Sequence, residues 1–171
     1  MALFNPTDLI ESAIVRALAS EMNLTGTNPS GRLQTVKSIG KCRINEGVPA
    51  LYPYIGVEDY TERESPDSTA AREVETIWRV DIQTRSTVSL TDAKAQLRPI
   101  LEDGAGNGVR PILRDPANFS LGNLLRSSEV IQTDRTDDLE KDPSGSTAAF
   151  FAGATVYVKT RAYVTINGRV Q

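Results

Sequence analysis

The sequence predicts an α+β domain: a mostly antiparallel sheet packed against an N-terminal helix and one or two further helices, ending in a long C-terminal strand. Three observations carry this. The first is a helical apolar stripe near the start, where Leu9, Ile10, Ala13, Ile14, Ala17, Leu18 and Met22 recur at the spacing of one helix face. The second is strict alternation in "FAGATVYVKTRAYVTING". Its even positions from Ala152 to Ile166 are small or apolar, and its odd positions carry Thr155, Tyr157, Lys159, Arg161, Tyr163 and Thr165. The third is the same period in "VETIWRVDIQTRS", with Val74, Trp78, Val80 and Ile82 on one face and Glu75, Arg79, Asp81 and Gln83 on the other. Helix first, then strands, helices and strands again is the α+β order.

Asn5-Pro6 opens the first helix, an amide cap followed by a proline where no N–H is needed. "TGTNPSGR" (25–32) is a polar loop and "LQTVKSIGKCRI" (33–44) a strand of imperfect alternation. "EGVPALYPYIGVEDY" (46–60) holds two prolines before its apolar segment and reads as an edge strand after a turn. "TERESPDSTAARE" (61–73) is a polar loop between strands. Thr91-Asp92 caps a helix with Ala93, Leu97, Ile100 and Leu101 inward, which Pro99 kinks or restarts. "DGAGNG" (103–108) is a turn. Asp115-Pro116 opens a short helical segment with Phe119, Leu121, Leu124 and Leu125 inward. "SEVIQTD" (128–134) is a strand and "DRTDDLEKDPSGS" (134–146) a second polar loop.

At 171 residues the chain reads as one domain, 1–171, able to bury a core without staples. A net charge of −3 argues against a nucleic-acid-binding surface, which carries a basic stripe. The single Cys42 excludes an internal disulfide, and Lys41 and Arg43 beside it supply no histidine base. The first residues resemble a signal sequence, yet lack a basic start and place Asp8 and Glu11 in the apolar stretch. No run approaches the roughly 20 apolar residues of a membrane span, so the expectation is a soluble chain with no membrane partner.

The chain has no histidine, which removes Ser-His-Asp and Cys-His catalysis and His-ligated zinc. "GAGNG" follows a helix and lacks the Gly-Lys-Ser/Thr ending of a phosphate loop. Asp138, Glu140 and Asp142 imitate the opening of a calcium loop, but its sixth position is Pro143 and its twelfth Ala149. Pairs such as Glu58/Asp59 and Glu62/Glu64 allow acid/base hydrolysis, and Tyr52, Tyr54 and Tyr60 allow a stacking platform for sugars or bases. With 22 acidic residues such pairs are unspecific, so no catalytic residue, metal site or cofactor is assigned.

A strand from Ala152 to Ile166 extends roughly 50 Å at about 3.3 Å per residue, against a diameter of about 40 Å for a domain of this length. Either it bends at a bulge near Thr160-Arg161, or its surplus pairs with another subunit. Tyr157, Lys159, Arg161 and Tyr163 on its odd face make a candidate subunit interface. Glu62, Arg63 and Glu64 in one polar loop, and Asp137, Asp138 and Glu140 in the other, are candidate docking residues.

An amphipathic N-terminal helix, "PALYPYIGVEDYTERE", "ETIWRVDIQTR" before a capped helix and a closing "FFAGATVYVKTRAYV" together resemble the tail terminator and tail-to-head joining proteins of long-tailed bacteriophages. The resemblance spans most of the chain as a pattern of elements, without a signature motif. It implies a non-enzymatic virion protein, made in the host cytoplasm, that forms a homohexameric ring on the tail tube at the head-tail junction. Its partners would be other copies of itself, the tail tube protein, a neck or head-completion protein and the tail sheath. DNA would only pass through the lumen, which mild acidity permits. A neck adaptor is the nearest alternative; a carboxylate hydrolase or carbohydrate-binding module is the alternative from another class.

Overall fold

The computed structural model describes residues 6–21, 36, 38–40, 52–66, 71–102, 108–115, 125–141 and 148–165. The protein is α+β, a five-stranded mixed sheet with an N-terminal helix and two more helices. In chain order the elements are α1 (Pro6–Glu21), β1 (Ser38–Gly40), β2 (Tyr54–Pro66), β3 (Ala71–Ser86), α2 (Leu90–Leu101), α3 (Val109–Arg114), β4 (Ser127–Lys141) and β5 (Ala148–Thr165). The strand order is β1-β2-β3-β5-β4, with β1 parallel to β2 and every other pair antiparallel.

Alternation settles which face of the sheet is buried. On β3, Thr76, Trp78, Val80, Ile82 and Thr84 are buried, and on β5 so are Ala152, Ala154, Val156, Val158, Thr160 and Ala162. They join Ile10, Ile14 and Leu18 of α1, Ala93, Leu97, Ile100 and Leu101 of α2, and Val109, Ile112 and Leu113 of α3 in one core. α2 lies against β3 and β5, while α1 packs against β1, β2 and α3. Two threonine hydroxyls sit in this core without being orphaned. The Trp78 indole donates to Thr160 Oγ1 at 2.8 Å, whose own hydroxyl reaches Thr76 O at 3.3 Å. Thr84 Oγ1 lies 2.8 Å from Ala93 O and 3.1 Å from Ala152 O, tying α2 to the sheet. A buried polar group left unpaired would cost about 1–3 kcal/mol.

Several expectations change. The segments 61–73 and 134–146 are not loops over most of their length: Thr61–Pro66, Ala71–Glu73 and Asp134–Lys141 are strand. Apolar periodicity reports a buried face, and these strand ends have little apolar surface to bury. Their ladders to β3 and β5 hold them instead. This also overturns the overhanging strand. β5 pairs with β3 from Phe150 to Thr165 and with β4 from Ala148 to Arg161, so its length is matched inside the molecule. No register shift interrupts β5 on β3 near Thr160-Arg161. The shifts fall elsewhere, between Asp59 and Thr61 where β2 pairs with β3 and between Val130 and Gln132 where β4 pairs with β5.

The segment 46–60 contributes an inner strand at Tyr54–Gly56, where β1 flanks it; past Gly56, β2 has β3 alone as its partner among the described residues. α2 starts two residues earlier than expected. Ser89 is its cap, accepting from the Asp92 amide at 3.1 Å, and one helix runs on through Pro99 to Leu101 without a restart. A proline in the last turn removes a single intrahelical donor, which the helix tolerates near its end. α3 was not expected as a helix, because six residues are too few for a periodic signal. Met22, the loop 25–32, Cys42, 103–107, Phe119, Leu121, Leu124 and Ile166 lie outside the described residues.

Candidate functional site

The helices cover one face of the sheet, and among the described residues no helix covers the other. Pairing register builds that second face row by row. Glu58 lies opposite Arg79, Arg79 opposite Tyr157, and Tyr157 opposite Gln132. One row along are Asp81, Thr155 and Asp134. In the other direction, Arg63 faces Glu75, which faces Arg161. The expected interface residues Tyr157, Lys159, Arg161 and Tyr163 all lie on this face, brought there by the two-residue period of β5.

Two clusters organise the face. In the first, Arg79 Nη2 is 2.9 Å from Asp81 Oδ2 and Nη1 is 4.0 Å from Glu58 Oε1. Thr155 Oγ1 donates to Asp81 Oδ1 at 2.6 Å. The guanidinium lies 5.8 Å from the Tyr60 ring centroid, and Tyr60 meets Tyr157 edge-on at 5.6 Å. Burial works against the Arg79 charge, yet Asp81 and Glu58 outweigh it and hold the guanidinium above its ordinary pKa. Tyr60 reaches this cluster because it occupies the irregularity between Asp59 and Thr61, and it remains 53 % exposed.

In the second cluster Lys159 Nζ and Arg161 Nε bracket Glu75 Oε2 at 3.0 and 3.1 Å. The hydrogen bond from Lys159 leads in holding the Glu75 carboxyl below its usual range; desolvation opposes it and Arg161 adds to it. Beyond it Tyr163 accepts a hydrogen bond from Arg126, whose guanidinium also stands 5.1 Å from the Tyr163 ring centroid. Arg79 Nε and Gln83 Oε1 are buried on this same face without a hydrogen-bond partner among the described residues.

Periodicity identifies the β5 side of this face but not its neighbours Tyr60, Glu58, Arg79, Asp81, Glu75 and Arg126. The alternation in β3 had separated Glu75, Arg79 and Asp81 from the core, but only cross-strand register shows which β5 residue each one meets.

The expected docking residues separate. Glu62, Arg63 and Glu64 are strand residues of β2, not loop residues. Glu62 Oε2 accepts from Thr7 Oγ1 of α1 at 3.1 Å, whereas Arg63 lies opposite Glu75. Asp137, Asp138 and Glu140 belong to β4, toward the end of the sheet where Lys141 pairs with Ala148. Glu62, Arg63 and Glu64 lie toward the opposite end, where Ala71 pairs with Thr165, so the structure does not bring the two sets together.

No group of three or more His, Cys, Asp or Glu placed to hold a metal occurs among the described residues. Likewise, among those residues no helix is long and apolar enough to cross a membrane. The arrangement is a surface of aromatic rings and paired charges. Compared with protein-family models and with curated proteins, the sequence matches none of either.

Proposed function

We propose that the chain is a non-enzymatic structural subunit, a tail terminator that forms a ring on a phage tail tube and joins it to the neck while letting DNA pass. The observation that carries the subunit role is the open sheet face. Tyr60, Tyr157 and Tyr163 stand among Arg79, Arg126 and Arg161, the residue types that concentrate binding energy at protein interfaces. Arg79 Nε and Gln83 Oε1, buried and without a partner among the described residues, supply a donor and an acceptor that a neighbouring subunit can satisfy. The head-tail junction follows from the likeness in element order: an N-terminal amphipathic helix, a hairpin, a capped helix and a long final strand. The full pairing of β5 within the molecule moves the argument for assembly from the end of that strand to its face.

The test is assembly on tails. Purified protein added to tails lacking their terminator should form a ring at the tube end by electron microscopy and allow heads to join. A doubly altered protein, Tyr157→Ala with Arg161→Glu, should keep its circular dichroism spectrum and lose that activity. A chain that stays monomeric on particles, or that binds or cleaves a glycan as a monomer, would refute the reading.

A further inference from the structure

β4 is the last strand of the sheet, and among the described residues no strand pairs with its outer edge. Edges of this length are normally blunted by charge, proline or a bulge. β4 has its irregularity at Ile131, between Val130 and Gln132, but the residue there is apolar and 46 % exposed.

Beside this edge runs a groove of about 790 Å³ lined by Arg110 and Arg114 of α3 and by Val130 to Arg135 of β4. Arg110 and Arg114 are four residues apart and so share one side of α3. Arg110 is bound to Glu102 at 3.1 Å, yet its Nε is buried without an acceptor among the described residues. Among the described residues Arg114 and Arg135 have no carboxylate partner. The groove thus combines strand backbone unpaired among the described residues, one exposed apolar side chain and three guanidinium groups, of which Glu102 holds Arg110, with Asp134 as the carboxylate in its described lining.

We infer that the outer edge of β4 receives an extended, acidic segment of a partner protein, added to the sheet as a sixth strand. Backbone hydrogen bonds to the edge would fix the segment, its carboxylates would meet Arg110, Arg114 and Arg135, and an apolar residue would cover Ile131. DNA offers the negative charge but neither the strand backbone nor a use for Ile131, so the edge favours polypeptide. This groove adjoins the Tyr157 face at Gln132 and Asp134, but the inference does not depend on the ring.

The experiment uses the full chain and a fluorescein-labelled heptapeptide in which Asp or Glu alternates with Val, followed by fluorescence anisotropy. Saturable binding is expected, weakened roughly tenfold or more by Arg114→Glu and by Arg135→Glu, both at exposed positions. The same peptide N-methylated at alternate amides should not bind, because it cannot extend a ladder. Circular dichroism of each variant checks folding, and Arg114→Lys should retain part of the affinity. Equal binding of the N-methylated peptide would overturn strand addition and leave only charge attraction. No binding by the folded protein, or stronger binding of a DNA oligonucleotide than of the peptide, would overturn the acidic-segment assignment. Oligomers that exclude the peptide and dissolve with Arg114→Glu would show the occupant to be a second copy, overturning a separate partner.

Discussion

Gly108 shows at a single residue how the fold restricts its sequence. Its φ is +118°, a region L side chains rarely adopt, and it caps the start of α3. A Cβ there would lie 2.8 Å from Leu101 O and 2.9 Å from Ile100 O, backbone atoms of the last turn of α2 that cannot rotate away. Gly108→Ala is expected to cost about 1–3 kcal/mol or more by urea denaturation; a stability equal to that of the parent would show that the turn relaxes freely. Glu75 illustrates charge at the same scale. Lys159 and Arg161 lower its folded-state pKa, so its stabilising contribution is complete above the unfolded value, about 4.3, and disappears as pH falls through the folded value. Glu75→Gln should therefore be less stable than the parent at neutral pH, by about 1 kcal/mol or less for so exposed a cluster. That difference should vanish below the carboxylate range. A deficit that persists unchanged in acid would mean that Glu75 acts through packing rather than charge.

At the scale of elements, the ends of β2 and β4 carry the main lesson. "TERESP" and "DRTDDLEK" have the composition of loops and the backbone of strands. Their register with β3 and β5 is continuous to the tips, from Thr61↔Ile77 to Pro66↔Arg72 and from Gln132↔Tyr157 to Lys141↔Ala148. Opposite charges meet across it, as with Arg63 and Glu75. Amides of 61–65 that bond to β3 are accordingly expected to exchange with solvent slowly, on the scale of local opening of the hairpin. A mobile polar loop would exchange fast. Hydrogen-exchange mass spectrometry of the free protein distinguishes the two, and full exchange of 61–65 at the earliest time would contradict the hairpin.

For the whole molecule, two layers leave one sheet face without a helix among the described residues. Its charges are largely paired within the chain, by Arg79 with Asp81 and by Lys159 and Arg161 with Glu75. Such a face resists non-specific association while offering Tyr60, Tyr157 and Tyr163 for a shape-matched partner. If this face joins subunits, tail-bound assemblies should dissociate with Tyr157→Ala and depend only moderately on salt, because paired charges gain little from a further partner. Binding lost completely at modest ionic strength, with Tyr157→Ala without effect, would place the interface elsewhere.

The sequence by itself determined the α+β class, α1 and its core stripe, the inward residues of α2, and the two faces of β3 and β5. Each of these has one dry side and one wet side, and that contrast is what periodicity records. It also separated Tyr157, Lys159, Arg161 and Tyr163 from the core, since side-chain direction alternates strictly along a strand. Only the tertiary structure decided the rest. Strand order set β5 between β3 and β4, so its length needed no outside partner. The shift at Tyr60 turned that ring toward Tyr157, and the ladder kept polar segments extended where their own residues would have allowed a loop. These depend on which strand lies beside which, a relation between distant residues that no local pattern encodes.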